Sequence, residues 1–318
     1  MNILILGNEQ NAHEFKSHLT DEFPELNFFS AMEETEVGDF IEKADILVCL
    51  RISDALLGRA GNLKWIQSMI AGTNYIEEQP SFRARKEILL TSSRGIHGPQ
   101  MSELAIMLMI AMNRKFPQLV RNQDRRVWER WPATLLWNKK VGILGVGVIG
   151  ESLARKCKAF EMTVWGVGRV KRTVEAVDEF HALEALPYVA SEVDYLVCIA
   201  PSRQDNRKMV NAEVFSRMKP TAFFLSLGRG EVVDEAALIE ALQERKIAGA
   251  ALDVFWQEPL PADSPFWGLD NVIITPHVGG MSDIYVRQAV EIFRENLSRY
   301  LKGEKRDLLN MVQRKIKN

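Results

Sequence analysis

Arg229, Glu258 and His277 each stand just beyond an apolar, strand-like stretch, in the segments FFLSLGRGEVVDEAAL, GAALDVFWQEPL and NVIITPHVGG. The carboxyl ends of strands are where open α/β sheets bind ligands. A planar cation, a carboxylate and an imidazole gathered there could bind an acidic ligand and move a proton. Singly, each is as readily a surface ion or a structural group. Upstream, VGILGVGVIGESLA places Gly145, Gly147 and Gly150 directly after an apolar strand and at the start of a helix-competent run. There Gly145 permits a tight turn, Gly147 lets backbone approach a pyrophosphate, and Gly150 lets the helix pack closely on the strand. The helix amino end, at Val148 and Ile149, would receive the phosphates. An ordinary strand-to-helix turn is the alternative, but strand, loop and helix together favour a dinucleotide site.

The second strand of such a site usually ends in an Asp or Glu, about 20 residues on, that holds the ribose 2′-hydroxyl of NAD. Here that strand ends GVGRVKR. Gly168 stands where the acid would be, and Arg169, Lys171 and Arg172 would attract a 2′-phosphate. NADP(H) is therefore the preferred cofactor, with NAD(H) still possible. The competing reading is a solvated basic loop.

These residues must be positioned by a chain of 318 residues, a length that suggests two domains with a cleft between them. A composition of 47% hydrophobic and 26% charged residues is that of a globular protein. The net charge of -2 gives no bias toward nucleic acid or an anionic membrane, so a small-molecule partner is expected. Met1 to Gly7 reads as a strand and not as a signal peptide, and Leu104 to Met112 is too short to span a bilayer. Cys49, Cys157 and Cys198 make no metal or redox spacing, which fits buried free thiols in a cytoplasmic protein.

Apolar runs at Asn2 to Leu6, Ile46 to Leu50, Trp65 to Ile70 and Ile88 to Leu90 alternate with helical or loop segments. From Val141 the alternation restarts at Val141 to Leu144, Thr163 to Val167, Tyr195 to Ala200, Ala222 to Leu227, Ala248 to Asp253 and Val272 to Thr275. The reading is an α/β protein of two doubly wound parallel-sheet lobes, the second a six-stranded dinucleotide-binding half pair. Between them Pro99 opens a helix running to Met112, whose methionines read as core packing and not as a cofactor box. Arg121 to Trp137, with Trp128, Trp131 and Trp137, could stack on nucleic acid bases, but without a basic excess elsewhere it reads as a subunit-contact arm.

Taken together, these segments make the sequence resemble the D-isomer-specific 2-hydroxyacid dehydrogenases over nearly the whole chain. The resemblance implies a Rossmann cofactor domain at residues 98–281 and a flavodoxin-like substrate domain at 1–97 and 282–318, to which the helix from Asp283 to Leu301 returns. It also implies a homodimer, and reversible reduction of a small 2-oxo acid of the glyoxylate or hydroxypyruvate kind by NADPH. Arg229, Glu258 and His277 match the family's catalytic set. His277 would protonate the carbonyl oxygen as hydride arrives, Glu258 would favour the charged imidazole, and Arg229 would orient the carboxylate and carbonyl. SMIAGTNYIE resembles the substrate loop, whose amides at Ala71, Gly72 and Thr73 would hold the carboxylate. Ala200, Pro201, Leu227, Gly228, Asp253 and Gly279 would line the cofactor, Asp253 near the nicotinamide carboxamide or else an ordinary cap.

Ser202 and Arg203 depart from the family pattern, and Arg203 reads as a phosphate contact or as surface. His97 in SSRGIHGPQMSE reads as structural, while Trp256 and Met281 would narrow the substrate pocket. Glu258 disfavours formate dehydrogenase, which pairs its His with Gln. A dinucleotide-sensing regulator on the same fold is the rival of a different class.

Overall fold

A computed structural model describes residues 1–313, which fall into two compact units: residues 1–96 with the stretch from Ser282 onward, and His97–Met281. In the first, strands β1 (Asn2–Leu6), β2 (Asn27–Ala31), β3 (Ile46–Cys49), β4 (Trp65–Ser68) and β5 (Leu89–Ser92) lie parallel in the order β2-β1-β3-β4-β5. This is the flavodoxin-like order. Strands β3 and β4 are buried throughout, as strands covered by helices on both faces must be. The edge strand β2, NFFSA, was not expected, because an edge strand covered on one side needs fewer apolar residues. The helix Tyr285–Leu301 belongs to this unit, with Phe293 packed on Phe15 and Trp65 at ring separations of 5.6 and 5.2 Å.

The second unit holds β6 (Lys140–Leu144), β7 (Thr163–Gly168), β8 (Glu179–Ala182), β9 (Tyr195–Cys198), β10 (Phe223–Ser226), β11 (Gly249–Leu252) and β12 (Val272–Ile274). All are parallel, in the order β12-β11-β10-β9-β6-β7-β8. The sheet therefore has seven strands and not six. The extra one, β8, reads EFHA and has no fully buried residue, so it carries no apolar signal. The order reverses between β6 and β9, and the crevice beyond the strand ends at such a switch point is where these sheets bind ligands.

The helix Gly98–Asn113 is largely core, as read from its pattern, with one correction: Met107 and Ile110 are exposed at 49% and 36%. All three cysteines are buried, and burial pushes each thiol up to about 12. Among the described residues, no helix is long and apolar enough to cross a membrane, and no group of His, Cys, Asp and Glu could hold a metal ion.

Candidate active site

The glycine loop joins β6 to the helix Val148–Ala159. Gly145 has φ +100°, and a Cβ there would stand 2.8 Å from the Ala200 nitrogen, so main-chain packing against the end of β9 requires glycine. At Gly150 a Cβ would meet the Gly145 carbonyl at 2.7 Å, whereas a Cβ on Gly147 would have nothing within 4 Å. Two glycines are thus demanded by the fold, and the third faces open space. No side chain caps the helix amino end, which leaves its N–H groups and dipole for an anion. These features fit a dinucleotide diphosphate.

Gly168 closes β7, with the Phe180 ring 3.1 Å from where its Cβ would be. Arg172 donates from Nη2 to the Val146 carbonyl in the glycine loop and to Glu151, both at 2.6 Å. Arg169 pairs with Asp205, and Lys171 is exposed. The basic residues that follow β7 are therefore tied to the glycine loop through Arg172. The Asp205 partner was not foreseen, because 36 residues separate it from Arg169.

At the ends of β9 and β10, a Cβ on Gly228 would stand 2.6 Å from the Ala200 carbonyl oxygen, so these two main chains touch. Pro201 accepts a hydrogen bond at its carbonyl from Asn206 Nδ2 at 2.7 Å. Leu227, read as lining the cofactor, is 2% exposed with its side chain in the core and its N–H bonded to the Cys198 carbonyl.

Arg229, Glu258 and His277 follow the neighbouring strands β10, β11 and β12. His277 Nδ1 lies 2.6 Å from Glu258 Oε2, and Glu258 Oε1 accepts from the Phe255 N–H at 2.9 Å. With Nδ1 engaged by Glu258, the other ring nitrogen, Nε2, bonds nothing among the described residues. His277 adopts φ +52°, a left-handed conformation that costs a non-glycine residue free energy. Asp253 offsets that cost. Buried at 1% exposure, it accepts from Thr275 Oγ1 at 2.5 Å and from the Val278 and Gly279 N–H groups at 3.0 Å each, three donors that flank His277. Its carboxylate is thus engaged on the His277 turn.

Arg229 donates from Nη1 to the Gly228 carbonyl at 2.8 Å, and its other donors bond nothing among the described residues. His97, read from sequence as structural, lies near enough to Arg229 to feel its charge. Burial first, and that charge second, hold its imidazole below the ordinary histidine range. A Cβ on Gly280 would stand 3.1 Å from the His97 ring. The Trp256 indole, expected to narrow a pocket, donates to the Val233 carbonyl at 2.8 Å. Met281 is exposed.

In the first unit, Ala71, Gly72 and Thr73 form the turn between β4 and the short helix Asn74–Glu77. Their N–H groups bond nothing among the described residues, and the Thr73 hydroxyl is taken by Glu77 at 2.6 Å.

Residues 106–279 match the family model for the D-isomer specific 2-hydroxyacid dehydrogenase, NAD binding domain. The D-3-phosphoglycerate dehydrogenase of Methanocaldococcus jannaschii is 30% identical over 304 residues, covering 92% of this chain. The chain spans only 56% of that relative's length. A solved D-isomer specific 2-hydroxyacid dehydrogenase family protein from Aeromonas salmonicida is 33% identical with a TM-score of 0.89, covering 98% of this chain and 99% of that one. The NADPH-dependent glyoxylate/hydroxypyruvate reductase of Sinorhizobium meliloti, solved with NADP and sulfate, is 26% identical with a TM-score of 0.84, covering 98% of each chain. The chain belongs to the D-isomer specific 2-hydroxyacid dehydrogenase family of NAD(P)-dependent oxidoreductases.

Proposed function

We propose that the chain reduces a small 2-oxo acid, of the glyoxylate or hydroxypyruvate class, reversibly to the D-2-hydroxy acid, and prefers NADPH. The observation that carries the reading is the His277–Glu258 pair at 2.6 Å, which leaves the second imidazole nitrogen for a carbonyl oxygen. When bound, the cofactor supplies the hydride. His277 donates a proton from Nε2 to the oxygen that gathers negative charge, and takes it back in the reverse direction. Glu258 holds the imidazole by Nδ1 and fixes the direction in which Nε2 points. Arg229 offers its free donors to the substrate carboxylate and carbonyl, orienting the ketone and stabilising charge. We also propose the turn of Ala71, Gly72 and Thr73 in the first unit, whose amides bond nothing among the described residues, as a carboxylate-binding turn.

Gly145, Gly147, Val148, Ile149 and Gly150 would hold the diphosphate, and Gly168, Arg169, Lys171 and Arg172 the 2′-phosphate side. Ala200, Pro201, Gly228 and Gly279 would line the cofactor, with Leu227 contributing main chain only. The absence of an acid at Gly168 supports the NADPH preference, as does the NADPH dependence named for the Sinorhizobium relative. Steady-state kinetics on a panel of 2-oxo acids with each cofactor tests both parts. A kcat/KM ratio at least about tenfold in favour of NADPH is expected, a difference of about 1.4 kcal/mol. An NADH preference would remove the cofactor assignment and leave the reaction type standing.

We further propose a homodimer formed through the second unit. Met107, Ile110, Phe116 and Phe160 share a concave surface with Glu103, Arg114 and Lys156. A two-fold contact brings the same patch of each subunit together, and an exposed apolar concavity is a surface that such a contact covers. Sedimentation should show a dimer at micromolar concentration for the wild type and a monomer for Ile110→Glu. A monomeric wild type would refute it.

A further inference from the structure

We propose that Glu235 is a positioning residue whose carboxylate holds the Phe255–Glu258 turn, and through it Glu258, in register with His277. The proposal rests on the reading of Glu258 and His277 as the proton-handling pair.

Glu235 is the first residue of the helix Glu235–Gln243, where an acid ordinarily complements the helix dipole from the solvent side. Here its Oε1 accepts instead from the main-chain N–H of Trp256 at 2.8 Å, on the turn that follows β11. Two residues earlier, the Val233 carbonyl accepts the Trp256 indole N–H, also at 2.8 Å. One short stretch, Val233 to Glu235, thus fixes both the main chain and the side chain of Trp256. Arg207 and Lys208 lie over the indole ring at 5.4 and 5.3 Å, and Lys208 pairs with Asp234 at 3.4 Å.

The contact extends to the arginine turn. A Cβ on Gly230 would stand 2.2 Å from the Phe255 carbonyl carbon and 2.5 Å from the Trp256 nitrogen, so the two main chains touch directly. Residues 229 to 235 therefore carry Arg229 at one end and the clamp on the glutamate turn at the other. Inside that turn, adjacent amides each meet a carboxylate: the Phe255 N–H donates to Glu258 Oε1 and the Trp256 N–H to Glu235 Oε1. Glu258 Oε2 is left for His277. Burial, with the charge of Glu258 adding to it, outweighs the Trp256 bond and pushes the Glu235 carboxyl above the ordinary glutamate range. Placing a second acid beside Glu258 has that cost, and what it secures is the path of the turn.

The test compares Glu235→Ala, which removes the acceptor, with Glu235→Gln, which keeps an oxygen of the same reach and drops the charge. Amide hydrogen exchange at Trp256 is measured alongside kcat and KM for reduction of glyoxylate and hydroxypyruvate with NADPH. Glu235→Ala is expected to speed Trp256 exchange about tenfold and to lower kcat about tenfold at unchanged KM for NADPH. Glu235→Gln should stay within about twofold of wild type on both measures. Wild-type exchange and kcat in Glu235→Ala would overturn the proposal, and so would equal damage in the two variants, which would make charge the operative property. A wild type that reduces no 2-oxo acid would remove the functional reading, while Trp256 exchange would still decide whether Glu235 holds the turn.

Discussion

Replacing His277 with Ala is expected to lower kcat for reduction by between about a hundredfold and ten-thousandfold, with NADPH affinity within about twofold of wild type. The asymmetry follows from what the side chain touches. His277 bonds Glu258 through Nδ1 and no residue of the glycine loop, so its removal takes away the proposed proton donor and leaves the proposed diphosphate site intact. The turn itself should survive, because Asp253 holds it through Thr275, Val278 and Gly279, none of which is altered. Alanine loses the Glu258 contact while keeping the strained φ of +52°, so a modest fall in melting temperature is expected. Single-turnover kinetics and fluorescence titration with NADPH separate the two effects. Retained turnover would strip His277 of its role, and joint loss of turnover and NADPH binding would make it structural.

Replacing Arg229 with Gln is expected to reduce kcat/KM by about a hundredfold to a thousandfold, with KM raised and kcat lowered together. Both should move because the guanidinium is assigned to the carboxylate, present in the ground state, and to the carbonyl oxygen, which gains charge only later. Arg229→Lys should recover only part of the loss. A point charge cannot reproduce a planar pair of donors, and the bond from Nη1 to the Gly228 carbonyl that sets the guanidinium's direction would be lost. Loss of folding is not expected, since Arg229 is exposed while the neighbouring Gly230 carries the close main-chain packing. A variant with unchanged KM and unchanged kcat for every 2-oxo acid would remove Arg229 from the site.

Much of this arrangement is legible in the sequence where a residue type is demanded by a hard contact. Gly145 and Gly150 stand where any Cβ would collide with main chain, so the glycine fingerprint and the fold requirement are the same fact. The order of Arg229, Glu258 and His277 after successive apolar runs is legible for a related reason, since buried parallel strands write themselves as continuous apolar segments. Strands β2 and β8 escaped because edge strands need little apolar surface. Glu235 escaped because an acid at a helix start reads as a response to the dipole, and nothing local shows that it reaches a turn 21 residues away. Asp253 reads from its strand end as a cap or, by resemblance, as a residue near the nicotinamide carboxamide. That its carboxylate braces the His277 turn is a property of three donors that follow β12, brought beside it by the pairing of β11 with β12. That the Leu227 side chain turns into the core is likewise a matter of packing that its segment does not disclose.

Whether this chain moves hydride to a 2-oxo acid is decided with NADPH carrying two deuterium atoms at C4 of the nicotinamide. After incubation with hydroxypyruvate and the wild-type protein, deuterium is expected on the new carbinol carbon of a product of D configuration. Tight NADPH binding with no deuterium transferred to any of a panel of 2-oxo acids would contradict it, and would describe a dinucleotide-binding protein that senses its ligand without turning it over.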